Sequence, residues 1–261
     1  AAYMDISHPE IIEFLDMRKP SGGDIHRKCL NLHHAVNISD EFMQLIEKCI
    51  TEPTYDDSWD LIDPHTKEKV RTISARDLWQ KILENRVATG EPYVCFSDTI
   101  NEGLPQPQKD LGLTVHHSNL CTEITLPTNE TRTAVCCLSS LNLEKYEEWK
   151  KDSLFIPDMI RFLDNVLQYF IDYAPDELFK ARFSANNERS IGLGTMGFHA
   201  YLQSQNIPFE SALAKAKNLQ IFKKIKEQAV AESKRLAIKR GEAPDMEGTG
   251  MRNSHLLAIA P

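Results

Sequence analysis

An α/β fold with a largely parallel sheet or barrel is predicted by three features of this 261-residue sequence. Short apolar runs with strand character alternate with segments of helical periodicity. Gly, Pro and Ser mark the boundaries between them. No internal repeat, low-complexity tract or linker interrupts the order, which favours one domain over two.

Taken in order, Ala1-Ala2-Tyr3-Met4-Asp5-Ile6 opens as a strand. His8-Pro9 starts a helix with Ile11, Ile12, Phe14 and Leu15 on one side, and Pro20-Ser21-Gly22-Gly23 ends it. Ser39 caps a helix whose Phe42, Leu45, Ile46 and Cys49 fall at i, i+3, i+4, i+7, which makes Cys49 a core residue. Residues 51–72 read as polar and irregular. Ser74 and Asp77 give a capping-box-like start to a helix with Leu78, Trp79, Ile82 and Leu83, ended near Gly90. Tyr93-Val94-Cys95-Phe96 is a short strand with Cys95 in the core, and a loop with Pro105 and Pro107 follows. Pro157 opens a helix through Ile160, Leu163, Val166, Leu167, Phe170 and Ile171. Residues 211–240 form one long Lys-rich helix stopped by Gly241.

Composition narrows the function classes. Hydrophobic residues make up 41% and charged residues 26%, and the chain is long enough to bury a core without disulfides. A net charge of −8 argues against a nucleic-acid polymer as partner, though not against a single nucleotide. No apolar run approaches the roughly 18 residues of a membrane span, so no membrane partner is expected. The six cysteines lack the dense spacing of a secreted disulfide framework, which points to a reducing, cytoplasmic setting. Both ends read as cut inside a core, at Ala1–Ile6 and at Leu256-Leu257-Ala258-Ile259-Ala260-Pro261.

Two motifs are set aside. Gly192-Leu193-Gly194-Thr195-Met196-Gly197 fits G-x-G-x-x-G, but Asn186–Ser190 before it is no buried strand and Glu210 is poorly placed after it. Close packing at a strand turn explains these glycines more simply. His116, His117, Cys121, Cys136 and Cys137 could be grouped around zinc, but they lack paired C-x2-C spacing, so no metal is expected.

Chemistry concentrates in Ser118-Asn119-Leu120-Cys121-Thr122-Glu123-Ile124. An extended backbone would put Asn119, Cys121 and Glu123 on one face and Leu120 and Ile124 on the other. That row offers an amide to orient a hydroxyl, a thiol for one-electron or nucleophilic work, and a carboxylate as acid or base. A half-buried strand with a polar outer face is the plain alternative. Downstream, Ala134-Val135-Cys136-Cys137-Leu138-Ser139-Ser140-Leu141 is strand-like, and extension sends Cys136 and Cys137 to opposite faces.

The 118–124 segment resembles the finger-loop signature of class I ribonucleotide reductase large (catalytic, alpha) subunits. Cys136-Cys137-Leu138-Ser139-Ser140-Leu141-Asn142-Leu143 is similar to the family's C-x-L-[AS]-S-x-N-L strand, with Cys136 fifteen residues after Cys121. The likeness continues in order through His8-Pro9, Phe14-Leu15, Arg18, Asp40, Phe42-Met43, Thr89–Tyr93, Gly192-Leu193-Gly194 with Gly197, and Arg252-Asn253-Ser254 before Pro261. It implies that residues 1–261 are the central and C-terminal part of a ten-stranded α/β barrel domain with a finger loop through its centre.

The resemblance also implies roles. Cys121 would become the thiyl radical that takes the ribose 3′ hydrogen, Glu123 the base on the 3′ hydroxyl, and Asn119 a hydrogen-bond partner of substrate hydroxyls. Cys136 would be one of two reducing thiols that end as a disulfide, and Pro261 would begin the turn that binds substrate phosphate. Expected partners are a ribonucleotide, a metal-containing small subunit that generates the radical, a second large subunit in a homodimer, and thioredoxin or glutaredoxin as reductant. ATP and deoxynucleotides would act as effectors of the parent protein. The family's second reducing cysteine, relay tyrosines, C-terminal cysteines and most of its effector region have no counterpart here, so the chain alone is expected to be inactive. Adenosylcobalamin-dependent reductases more often carry N-P-C-G-E at the finger loop. Leu120 and Thr122 favour the class with a small subunit over that alternative. A non-catalytic fragment of the same fold is the remaining reading.

Overall fold

Residues 1–259 are described by a computed structural model of the chain. They divide into two compact units, one of Ala1–Leu104 with Val115–Thr125, the other of Pro105–Thr114 with the chain from Leu126 onward.

The first unit contains β1 (Ala2–Asp5), α1 (Ile11–Asp16), β2 (His34–Ile38), α2 (Asp40–Thr51), β3 (Ser58–Ile62), β4 (Lys69–Ser74), α3 (Ala75–Thr89), β5 (Tyr93–Phe96) and α4 (Ser97–Glu102). β1, β2 and β5 form a parallel sheet in the order β1-β2-β5, with Tyr3 beside Ala35 and Asn37 beside Cys95. Helices fill the crossovers, as parallel pairing requires. Ile11 and Leu15 of α1, Phe42 and Ile46 of α2, and Leu78 and Ile82 of α3 meet Val36 and Ile38 in one core. The predicted caps act as expected: Ser39 accepts from Phe42 N, Ser74 from Asp77 N, and Gly90 ends α3 at φ 81°. Cys49 and Cys95 are both buried.

The structure corrects the reading of 51–72 as irregular. β3 and β4 form an antiparallel hairpin there, with Trp59 and Leu61 facing the core and Asp60 between them on the other face. Its turn is built by Asp63, whose Oδ1 accepts from His65 N (2.8 Å) and Thr66 N (2.9 Å). Strand β2 was also missing from the expectation.

The second unit contains α5 (Gln106–Asp110), β6 (Cys137–Asn142), α6 (Tyr146–Trp149), α7 (Phe155–Tyr173), α8 (Phe179–Glu188), β7 (Ile191–Met196), α9 (Phe198–Ser204) and α10 (Ala212–Arg240). β6 and β7 pair in parallel, Cys137 opposite Ile191 and Leu141 opposite Thr195. The core joins Leu141 and Leu143 to Ile160, Leu163 and Leu167 of α7 and to Ile221, Ile225 and Leu236 of α10. α10 covers the predicted 211–240 span, with Ser211 accepting from Ala214 N at its start. The parallel strands and packed helices of both units are the α/β class expected.

One buried charge organises this unit. Asp164 of α7 is fully buried and accepts from Arg189 Nε (3.2 Å) and Nη2 (3.1 Å), Arg240 Nη1 (2.7 Å) and Asn253 Nδ2 (3.3 Å). Arg252 Nε lies 3.4 Å away. Burial pushes the Asp164 carboxyl up, but the guanidiniums of Arg189, Arg252 and Arg240 outweigh it and hold the carboxyl below its usual range. We expect Asp164→Ala to leave three guanidiniums without their shared counter-charge and to lower unfolding free energy by about 3–5 kcal/mol, measured by urea denaturation.

Candidate functional site

The segment carrying Asn119, Cys121 and Glu123 lies in the first unit and is tied to it by polar anchors. Asn101 of α4 brackets Val115, donating from Nδ2 to its carbonyl (3.0 Å) and accepting from its N–H at Oδ1 (2.8 Å). Asn37 of β2 donates to the His116 carbonyl (2.9 Å) and to Asp5 Oδ1 (2.9 Å). Tyr3 of β1 brings its hydroxyl within 2.8 Å of Ser118 Oγ and 3.0 Å of the Asn119 carbonyl.

Beyond Asn119 the chain does not stay extended, which corrects the alternation argument. Thr122 N donates to the Asn119 carbonyl (3.1 Å), so 119–122 is a four-residue turn. Thr122 sits in the left-handed region at φ 66°. Cys121 is exposed on this turn. Leu120, expected to be buried beside Ile124, is 48% exposed instead. Asn119 Oδ1 turns inward to accept from Ile124 N (3.1 Å), which commits the amide oxygen to the loop and leaves the NH2 as the group able to serve a ligand. Glu123 is half-buried, and its Oε2 is shielded from solvent with no hydrogen-bond partner. A buried carboxylate oxygen without a donor is a costly arrangement that a donor from a ligand would relieve. A turn presenting a thiol next to such a carboxylate can bind a hydroxyl and take its proton.

Cys136 belongs to the second unit, and it immediately precedes β6 rather than lying in it. Cys137, the first residue of β6, packs against the hydrophobic core, and burial pushes its thiol up. Cys136 points the other way, toward β7: its Sγ lies 3.3 Å from where a Cβ on Gly192 would stand. None of the six cysteines forms a disulfide.

The glycine pattern at 192–197 is explained by this packing. Gly192 and Gly194 lie inside β7, and Gly197 precedes α9 at φ 79°. A dinucleotide fingerprint would instead follow its strand. The segment before β7 is the helix α8, with Arg189 after it at φ 47°. Beyond α10 the chain returns along β7: Ile191 N donates to the His255 carbonyl (3.1 Å), Leu193 N to the Leu256 carbonyl (2.9 Å), and Leu193 bridges Leu257 in parallel. Pro261, expected to begin a phosphate-binding turn, lies outside the described residues.

Sequence reasoning assigned no role to the polar groups that hold this return segment. Ser190 Oγ, Ser254 Oγ and His255 Nδ1 form a cluster (2.9 Å between the hydroxyls, 3.0 Å from Ser254 to His255), and burial pushes the His255 imidazole down to about 4. Asn253 accepts from Ser233 Oγ at 2.9 Å. A signal existed for Asp164: it is a charged residue among the apolar positions Ile160, Leu163 and Leu167 of one helix.

Gly192→Ala should be tolerated poorly. The added methyl would meet the Leu138 side chain, Ala258 Cβ at 2.9 Å and Cys136 Sγ at 3.3 Å. We expect a loss of about 1–3 kcal/mol, read as a lower urea midpoint with an unchanged slope.

Comparison with known proteins supplies the context for this geometry. A family model, ribonucleotide reductase barrel domain, matches residues 1–258. A protein of Frog virus 3 (isolate Goorha) is 52% identical over 264 residues, covering all of this chain and 45% of its own length. The ribonucleoside-diphosphate reductase large subunit of Invertebrate iridescent virus 3 is 46% identical over 308 residues, again covering all of this chain and 49% of its own length. Among solved structures, the Actinobacillus ureae class Id ribonucleotide reductase alpha subunit superposes with a TM-score of 0.84 at 35% identity, over all of this chain and 45% of that one. The chain thus spans about half the length of these relatives. With its parallel α/β strands and its finger-loop and glycine motifs in order, it belongs to the ribonucleotide reductase large-subunit family, within the barrel domain.

Proposed function

We propose that the protein to which this chain belongs reduces ribonucleotides, in the form of ribonucleoside diphosphates, to 2′-deoxyribonucleotides for DNA precursor synthesis. The observation that carries the reading is the turn at 119–122, which exposes the Cys121 thiol while the adjacent Glu123 keeps a buried carboxylate oxygen without a donor. Membership of the reductase family supports it.

In this reading Cys121, as a thiyl radical, removes the 3′ hydrogen of the ribose. Glu123 takes the proton of the 3′ hydroxyl, and the Asn119 NH2 holds a substrate hydroxyl. The 2′ hydroxyl leaves as water. Two electrons and two protons then come from a pair of thiols, Cys136 and a cysteine outside this chain, which close to a disulfide. Cys121 finally returns its hydrogen to the 3′ carbon. Pro261 would begin the phosphate-binding turn.

The radical would come from a metal-containing small subunit, and thioredoxin or glutaredoxin would reopen the disulfide. A homodimer of large subunits, effector control by ATP and deoxynucleotides, and a cytoplasmic location complete the proposal. No described helix is long and apolar enough to cross a membrane.

Two measurements test the reading in the full-length protein with its partner subunit. Cys121→Ser should reduce deoxynucleotide formation to background while equilibrium binding of the ribonucleotide changes less than about threefold; retained turnover would sink the radical assignment. Peptide mapping after a single turnover without external reductant should place Cys136 in the new disulfide, and recovery of Cys137 there would show the role assigned to the wrong neighbour.

A further inference from the structure

The turn that presents Cys121 is not an intrinsically favoured one for its sequence. Thr122 is β-branched and sits at φ 66°, a region where a branched side chain crowds the backbone. Such a conformation persists when its surroundings over-determine it. The surroundings here are few and identifiable.

Three oxygens meet at the base of the turn: Tyr3 Oη, Ser118 Oγ and the Asn119 carbonyl. Their separations are 2.8 Å (Tyr3 to Ser118), 3.0 Å (Tyr3 to Asn119) and 3.1 Å (Ser118 to Asn119). Two hydroxyls carry two protons, so the triangle holds one bond between hydroxyls and one from a hydroxyl to the carbonyl. The carbonyl's other lone pair takes the Thr122 N–H that closes the turn. Burial pushes the Tyr3 phenol up, so it keeps its proton as a donor. The Tyr3 ring also lies against His117, with centroids 5.7 Å apart. Because β1 is a hydrogen-bonded strand of the parallel sheet, the phenol links the turn to a rigid element rather than to another loop.

We propose that Tyr3 is a positioning residue for the reacting thiol: through the Ser118 hydroxyl and the Asn119 carbonyl it ties the Cys121 turn to strand β1. The inference rests on the reading of Cys121 as the reacting thiol. Tyr3 touches no substrate in this scheme. Its contribution is to keep the turn, and with it the spacing of Cys121, Asn119 and Glu123, in one arrangement, which is the condition for orientation to lower a barrier.

The test uses the full-length protein with its partner subunit. Tyr3→Phe keeps the ring and removes the hydroxyl. We expect kcat to fall about tenfold with KM changed less than about twofold and a thermal midpoint within about 2 °C of wild type. Iodoacetamide should also alkylate Cys121 faster than in the parent protein, while exposed Cys29 reacts at an unchanged rate. Ser118→Ala should give a similar loss, and the double variant should lose no more than the worse single one, since the triangle acts as a unit. A kcat within twofold of wild type, a loss that tracks the thermal midpoint, or additive losses would overturn the assignment. If Cys121→Ser retains turnover, the thiol's role fails, but the alkylation rates still decide whether Tyr3 holds the turn.

Discussion

The second unit depends on one buried carboxylate. Asp164 stands on α7 in the middle of an apolar core, and four side chains from distant parts of the chain converge on it: Arg189 after α8, Arg240 at the end of α10, and Arg252 and Asn253 beyond. A single negative charge facing three guanidiniums keeps its proton off despite burial. The geometry is also directional. By holding Arg189 and Asn253 together, Asp164 sets where β7 begins and where the return segment joins it, because Ser254 N donates to the Glu188 carbonyl and Ile191 N to that of His255. The return segment along β7 therefore starts from an ion cluster at one end of that strand. Packing alone would fix the distance between α7 and β7 but not the register of a third chain segment.

Glu188, one residue before Arg189, shows the contrary case. It is fully buried, and burial pushes its carboxyl up to about 8, further than the nearby Arg132 pulls it down. Arg132 is already engaged by Asp245 through two bonds of 2.7 and 2.8 Å. A guanidinium committed to one carboxylate compensates a second one poorly. Glu188 is thus held as a neutral acid around neutral pH while Asp164 is held ionised. The two differ in arginine supply: three guanidiniums face Asp164, whereas the one near Glu188 is engaged by Asp245.

Much of the helical framework was legible because its signals are local. Ser39 and Ser74 cap helices, and Gly90 and Gly241 end them, as their positions in the sequence suggested; the helix expected from residue 211 starts on a Ser211 cap. Elements whose identity is decided by partners were not legible. β2 is a five-residue run read only by its neighbours on both sides. The β3–β4 hairpin hides among polar residues because Trp59 and Leu61 are its buried side chains, with Ile73 of β4 packed against the core only in part. The finger segment misled in a specific way. Asn119, Cys121 and Glu123 alternate with Leu120 and Thr122, which mimics a strand, yet Asn at the first position of a four-residue turn is an equally good local signal. Turn chemistry won, since the Asn119 carbonyl and side chain can close the loop on themselves at Thr122 and Ile124. Buried pairing at Asp164 was announced by a charge in an apolar stripe, but its partners, 25 to 89 positions away, were not.

The turn also accounts for the finger-loop variants weighed from sequence. In N-P-C-G-E the proline falls on the position of Leu120 and the glycine on that of Thr122. Proline is suited to the second position of a turn, whose φ it presets, and glycine to the left-handed fourth position seen here at φ 66°. Both versions can thus draw the same backbone path around the same cysteine. With Pro and Gly the path is favoured by the residues themselves. With Leu120 and Thr122 the loop's own bonds at Asn119 are supplemented from outside, by the Tyr3 hydroxyl on Ser118 and Asn119 and by the Asn37 and Asn101 bonds that fix the approach. Polar anchoring of the loop and the departure from Pro and Gly are then two sides of one constraint: Cys121 stands on a turn whose fourth residue is left-handed, and what Leu120 and Thr122 do not favour is supplied by bonds from β1, β2 and α4.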